Sequence, residues 1–320
     1  MTGRTLPWGD LTGIRPTKIP MKLLEEGWKN TEIARYMRET YGVSNEKTAL
    51  AITIANREKA LLQDLDYENG YSLYVGIPFC PSICLYCSFG SHPLERWTKR
   101  VDEYLDTLCK ELTFIREQMG ARKLTTVYIG GGTPTTLEPE QLRRLLSHIQ
   151  ETFDFTWVKE YTVEAGRPDS ITREKLQVMK EFPVTRISVN PQTMNQKTLD
   201  VIGRKHTVED TINIFHMARE LEFDNINMDL IIGLPGEGKE EVAHTLQEVE
   251  KLHPDSLTIH SLALKRATRL NLFKDKYEEM SFENSKEIME MTQQCAENMG
   301  MGPYYLYRQK NIAGNFENVG

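Results

Sequence analysis

Three cysteines, Cys80, Cys84 and Cys87, fall within eight positions in a C-x3-C-x2-C pattern. Thiolates are soft ligands suited to iron–sulfur clusters and to zinc. A cubane held by three of them keeps one iron without a protein ligand, open to a small molecule. A structural zinc site needs four ligands and would have to recruit another, such as His92. Three inert, packed thiols are the remaining reading, although a core has no need of three so close together.

Other residues capable of chemistry recur at intervals. Residues 130–135 read Gly-Gly-Gly-Thr-Pro-Thr. Consecutive glycines let a ligand approach the backbone closely, whereas a plain tight turn needs fewer. A phosphate loop would carry a lysine that this string lacks. Glu164, Gln192 and Arg204 each stand at or just beyond an apolar run, and Asp229 stands inside one. A carboxylate at Asp229 is costly to bury unless paired, and Arg204 is a candidate partner. A core salt bridge and a ligand contact both account for Asp229; a solvated loop and a ligand contact both account for Glu164 and Gln192.

The elements that must position these residues alternate. Strands are predicted over 72–77, 125–129, 160–164, 185–190, 225–232 and 256–264, and helices over 98–119, 138–151, 172–180, 208–221, 240–251 and 285–299. Six βα units in a row predict an α/β fold, a parallel sheet with helices outside. Right-handed crossovers curl it into an open or closed barrel, with the chemistry at the C-terminal ends of the strands. Residues 1–70 differ. An irregular arm over 4–18 leads to one amphipathic helix over 20–40 and a turn at 41–44. Ser44 then caps a second helix through 62. A helical pair packed against the barrel fits better than a DNA-reading pair, because no basic face stands out.

The formal charge of −7 gives no reason to expect nucleic acid or an anionic membrane as the main partner. No apolar run is long enough to span a bilayer. Cys109 and Cys295 lie in helical patterns and read as packed thiols. An odd count of five cysteines with this clustering predicts a reducing, cytoplasmic location.

Taken together, these residues resemble the radical S-adenosylmethionine (SAM) superfamily. Within it they resemble the HemN-like group of oxygen-independent coproporphyrinogen dehydrogenases, the HemZ type above all. The cysteine pattern carries the superfamily likeness. The group likeness rests on residues 11–18 (Leu-Thr-Gly-Ile-Arg-Pro-Thr-Lys), 233–237 (Gly-Leu-Pro-Gly-Glu), 258–263 (Thr-Ile-His-Ser-Leu-Ala) and 305–311 (Tyr-Leu-Tyr-Arg-Gln-Lys-Asn).

The resemblance implies a partial (βα)6 TIM-like barrel with an N-terminal helical extension. Residues 1–70 would form the arm and extension, 71–300 the core barrel, and 301–320 the start of a C-terminal, substrate-side segment. HemZ-type proteins run longer at both ends, so residues 1 and 320 are expected to be edges within a longer protein. By position, Cys80, Cys84 and Cys87 would bind a 4Fe-4S cluster. Tyr74, Tyr86, Phe89, Gly131, Gly132 and Thr133 would contact SAM. So would Glu164, Gln192, Arg204, Asp229 and Ala263, with one SAM bound or two.

The implied reaction belongs to haem biosynthesis. Flavodoxin or ferredoxin reduces the cluster, SAM is cleaved to a 5′-deoxyadenosyl radical, and the radical takes a hydrogen from a propionate of coproporphyrinogen III. Loss of carbon dioxide and an electron leaves a vinyl group, twice over, giving protoporphyrinogen IX. Such a tetrapyrrole carries several carboxylates and needs cations. Arg308, after the aromatic run 304–307, is the favoured candidate, with Lys265 and Arg266; Lys205, His206 and Arg269 are further ones. One residue departs from the pattern. The best-known coproporphyrinogen dehydrogenases carry an extra cysteine two positions past the third cluster ligand, where this chain has Phe89. HemN-like proteins with an aromatic residue there include haem chaperones and haem-degrading methyltransferases. Both stand as alternatives, although the chaperones' His-Asn-x-x-Tyr-Trp string is absent from this sequence.

Overall fold

The computed structural model describes residues 6–277, 282–310, 312, 314 and 316–320. Residues 4 and 5 of the expected arm, and residue 311 of the last string, lie outside these. Six strands stand side by side in chain order: β1 (Tyr71–Ile77), β2 (Leu124–Gly131), β3 (Glu160–Gly166), β4 (Arg186–Val189), β5 (Ile226–Ile232) and β6 (Ser256–Ser261). Each is parallel to its neighbour. Helices connect each strand to the next, and right-handed crossovers of this kind curl such a sheet into a half-barrel.

Helices Val101–Met119, Pro139–Thr152, Arg173–Lys180, Val208–Glu220 and Lys239–Leu252 cover the outer face. Alternation along each strand selects what they bury. On β1, Leu73, Val75 and Ile77 are buried with Leu105, Leu108 and Leu112 in the main core, while Ser72 and Tyr74 on the other face are exposed. Helix starts follow side-chain chemistry. The Thr172 and Ser285 hydroxyls accept from Lys175 N at 3.3 Å and Ile288 N at 3.3 Å, opening helices Arg173–Lys180 and Lys286–Asn298.

After β6 the direction reverses. Two short strands, β7 (Leu306–Tyr307) and β8 (Asn318–Val319), add to the sheet edge antiparallel, with β8 next to β6. They cover an edge that would otherwise be open to pairing. The N-terminal helices pack against them, since Trp8, Ile33, Met37 and Ile54 share a second core with Leu306.

The expected helix over 20–40 is two helices, Lys18–Glu25 and Asn30–Tyr41. Gly27 separates them at φ 88°. Its N–H donates to Leu24 O at 3.2 Å, and that of Trp28 donates to Leu23 O at 2.9 Å. This is a Schellman ending, which needs a left-handed residue and so a glycine. Ser44 does cap the next helix, Asn45–Leu62, by accepting from Lys47 N at 3.2 Å. The last expected strand, 256–264, stops at Ser261.

Candidate active site

The cysteine loop leaves the C-terminal end of β1. Phe79–Cys80 pairs in parallel with His92–Pro93, closing the loop on itself. Its backbone is tied to distant elements: Leu85 N donates to Ile202 O at 2.9 Å, Leu270 N to Leu85 O at 3.0 Å, and the Ser82 hydroxyl to Gly203 O at 3.0 Å. All three thiols line one cavity at the strand ends. Thr133 donates its hydroxyl to Cys80 Sγ at 3.5 Å, and Arg167 Nη1 donates to Cys84 Sγ at 3.6 Å. Burial pushes the Cys87 thiol up, and its neighbours Cys84 and Cys80 add to the shift.

Gly131, Gly132 and Thr133 line the same cavity, beside Cys80. Gly132 N donates to Ile77 O at 2.7 Å, joining the ends of β1 and β2. A Cβ at Gly132 would stand 2.6 Å from Phe79 O, so only glycine fits this approach. At Gly130, a Cβ would meet Tyr128 at 2.5 Å and Glu164 Oε2 at 2.7 Å.

Every expected SAM contact except Tyr74 lies in this cavity lining. Tyr74 is 63% exposed and stacks on Tyr128 with ring centres 5.8 Å apart. Burial and the nearby Asp229 push the Glu164 carboxyl up to about 8. Gln192 is buried at φ 68°, in the left-handed region that a side chain disfavours. Its N–H donates to Asp229 O and its carbonyl accepts from Ile231 N, both at 2.9 Å, which fixes that conformation. The partner expected for Asp229 is different. Arg204 donates to Asn190 O at 2.5 Å, while Asp229 accepts from Asn227 Nδ2 at 2.7 Å and lies 3.6 Å from His260 Nε2. Burial alone would raise Asp229, but His260 and Asn227 outweigh it and hold the carboxyl low.

The expected substrate cations separate. Lys265 lines the cavity, and Arg266 is exposed outside the lining. Arg308 is turned to the N-terminal arm. Its Nη1 donates to Leu11 O at 2.8 Å, its backbone N–H to Ile14 O at 2.7 Å, and its guanidinium lies over the Trp8 ring at 5.6 Å. His206 is fully buried, and desolvation and Arg204 push it down to about 4, so it is neutral. Arg269 donates to Ile83 O at 3.3 Å, and Lys205 is exposed outside the lining.

Residues that sequence reasoning passed over share the cavity. Arg167 follows β3, where a cation just after Gly166 was the available signal. His260 on β6 lies 3.2 Å, Nδ1 to hydroxyl, from Tyr307 on β7, the last residue of the aromatic run that the sequence did single out. Asn318 donates no sequence signal, since only the reversal of β8 brings it there.

Residues 74–249 match the family model of the radical SAM superfamily. The chain belongs to that superfamily. It is 45% identical over 323 residues to the oxygen-independent coproporphyrinogen-III oxidase-like protein HemZ of Bacillus subtilis, covering all of this chain and 64% of that protein. It is 37% identical over 198 residues to the heme chaperone HemW of the same species, covering 62% of this chain and 52% of that protein. The structure of coproporphyrinogen III oxidase HemN from Escherichia coli matches with a TM-score of 0.64 at 28% identity, over 76% of this chain and 55% of that one. The chain therefore spans about half to two thirds of these relatives' lengths.

Radical SAM proteins carry a 4Fe-4S cluster and SAM, and the residues here fit both. Buried Asn190 Oδ1, Ser91 Oγ and Arg204 Nε have no hydrogen-bond partner among the described residues, and all three side chains line the cavity. The donor set is soft, as iron–sulfur clusters require. Among the described residues no three His, Cys, Asp or Glu side chains are placed to hold a single metal ion. A cubane asks for something else, because its thiolates bind different irons. The His92 ring packs tilted against Trp97, with ring centres 4.9 Å apart, and is not in the lining, so it is no fourth zinc ligand. No helix among the described residues is long and apolar enough to cross a membrane.

Proposed function

We propose that this chain is the catalytic part of an enzyme for the oxygen-independent oxidative decarboxylation of coproporphyrinogen III in haem biosynthesis. One observation carries the reading most. The three thiols, the Gly131–Gly132–Thr133 wall and the carboxyl of Glu164 share a single cavity at the strand ends. Cys80, Cys84 and Cys87 hold the cluster. Gly131, Gly132, Thr133, Glu164, Gln192, Arg204, Asp229 and Ala263 bind SAM, with Tyr86 and Phe89 at its edge. Once reduced by a flavodoxin or ferredoxin, the cluster and SAM together supply a radical able to take a hydrogen atom from a propionate side chain. The chain's own residues orient the substrate and exclude water. Lys265 pairs with a substrate carboxylate, and the role first considered for Arg308 passes to it.

Protoporphyrinogen IX is the expected product. The test is anaerobic reconstitution, then mass analysis of the products from coproporphyrinogen III and, separately, from haem. 5′-Deoxyadenosine without any change in coproporphyrinogen III would remove the substrate assignment. A second reading, a haem-binding chaperone, is favoured by Phe89, which is 71% exposed on the cavity lining, and by the HemW likeness. Stable haem binding without turnover would select it. A methylated or opened haem would select the methyltransferase instead.

A further inference from the structure

Arg167 is a buried cation with an unusual set of partners. It is 3% exposed. Its Nε and Nη2 grip Asp169 at 3.0 and 2.6 Å, a two-point pairing that fixes the guanidinium plane. The remaining donor, Nη1, faces the cysteine loop. It donates to Ser82 O at 2.9 Å, to Ser82 Oγ at 3.0 Å and to Cys84 Sγ at 3.6 Å. A charged group is thus held against a sulfur by a carboxylate behind it. The Asp169 side chain is 17% exposed, lies 3.9 Å from His206 Nδ1, and also feels the charge of Arg204. Loop anchoring alone does not require a charge, since Ser82 already donates to Gly203 O.

We propose that the Arg167–Asp169 pair sets the reduction potential of the cluster held by Cys80, Cys84 and Cys87, with Arg167 raising it and Asp169 moderating the rise. The inference rests on the cluster reading above. Three thiolates give the oxidised cluster a net negative charge, and one-electron reduction adds another. The electron comes from an external donor of the iron–sulfur or flavin class, and no bond forms or breaks. A buried cation donating to a ligand sulfur favours the more negative state, and solvent screens it little. Asp169 opposes that field from one side chain further away.

The test is a potentiometric titration followed by electron paramagnetic resonance on anaerobically reconstituted protein, without SAM or tetrapyrrole. Arg167→Gln is expected to lower the reduced-to-oxidised ratio at a fixed potential about tenfold, a fall of about 59 mV for one electron. Asp169→Asn is expected to move it the opposite way by about threefold, since part of its field is screened. Arg167→Lys keeps the charge and should stay close to the wild type. An unmoved midpoint in Arg167→Gln, or shifts of the same sign in both variants, overturns the proposal. If Arg167→Gln retains no cluster, Asp169→Asn decides alone: a rise supports the pair's role and any other result overturns it. A wild type without an iron–sulfur signal removes the cluster reading and this inference together. Shifts of opposite sign in a protein that converts neither tetrapyrrole would uphold the inference and remove only the substrate.

Discussion

Replacing Lys47 with Met tests how firmly the N-terminal helices are joined to the cavity wall. Lys47 opens helix Asn45–Leu62, and its Nζ lies 2.7 Å from Glu317 Oε1, 270 residues away. The two side chains are 8% and 2% exposed. Glu317 Oε2 accepts from the Trp8 indole at 2.9 Å, and Glu317 O accepts from the Ser261 hydroxyl at 3.0 Å. The next residue, Asn318, accepts from Ser261 N at 2.8 Å and lines the cavity. Lys47 also approaches Glu46 at 3.2 Å, but that carboxylate is half-exposed and its contribution small. Lys47→Met leaves Glu317 buried with one neutral donor, so a loss of about 3–5 kcal/mol is expected. Lys47→Met with Glu317→Leu removes both charges and orphans only the Trp8 indole, for a loss of about 1–3 kcal/mol. The double variant should therefore be about 2 kcal/mol more stable than Lys47→Met alone. Urea unfolding of cluster-free protein, fitted for midpoint and slope, measures both. A Lys47→Met loss under about 1 kcal/mol, or a double variant no more stable than Lys47→Met, would falsify the view that this pair fastens β8 in place.

Four further outcomes are expected. Replacing Cys80, Cys84 or Cys87 singly with Ala should abolish iron and sulfide binding after reconstitution, while Cys109→Ala and Cys295→Ala retain it; iron per protein decides. Gly132→Ala drives a Cβ to 2.6 Å from Phe79 O and should cost about 1–3 kcal/mol in urea unfolding, whereas Gly13→Ala, with nothing within 4 Å, should be near neutral. Glu164 ionises near 4.5 when unexposed to such burial but near 8 in the fold, so the folded protein keeps a proton that the unfolded chain has released. Stability should therefore fall as pH rises from about 4.5 to about 8, and unfolding measured across that window should be flatter in Glu164→Gln. Lys265→Ala should weaken tetrapyrrole binding roughly twofold to fivefold, as for an exposed charge pair, whereas Arg308→Ala should lower stability and leave that affinity unchanged; fluorescence quenching reads the first and urea unfolding the second.

Much of the architecture was legible locally. Apolar runs of strand length, separated by helical periods, predict a parallel sheet whatever the distant contacts. The observed strands begin and end within three residues of their expected bounds, the widest gap being β6, which stops at Ser261 rather than 264. Glycine chemistry was legible but underused. The Glu-Gly-Trp string at 26–28 marks a helix end, and an apolar stripe read through it hides the break at Gly27. Tyr74 shows what alternation alone leaves open. Its strand and face are set by alternation, but what its ring meets is set by Tyr128 on the neighbouring strand.

By itself the sequence determined the ligand type, the spacing of the thiols and the order of βα units, because each depends on neighbours within a few positions. Tertiary structure decided which charges are available. Arg308 and Lys265 look alike in the chain, yet one is consumed by Leu11 and Ile14 while the other faces the cavity. Arg167 becomes a hydrogen-bond donor to Cys84 only because β3 ends beside the loop that leaves β1. Desolvation and pairing depend on groups far apart in sequence, and only folding brings those groups within a few ångströms.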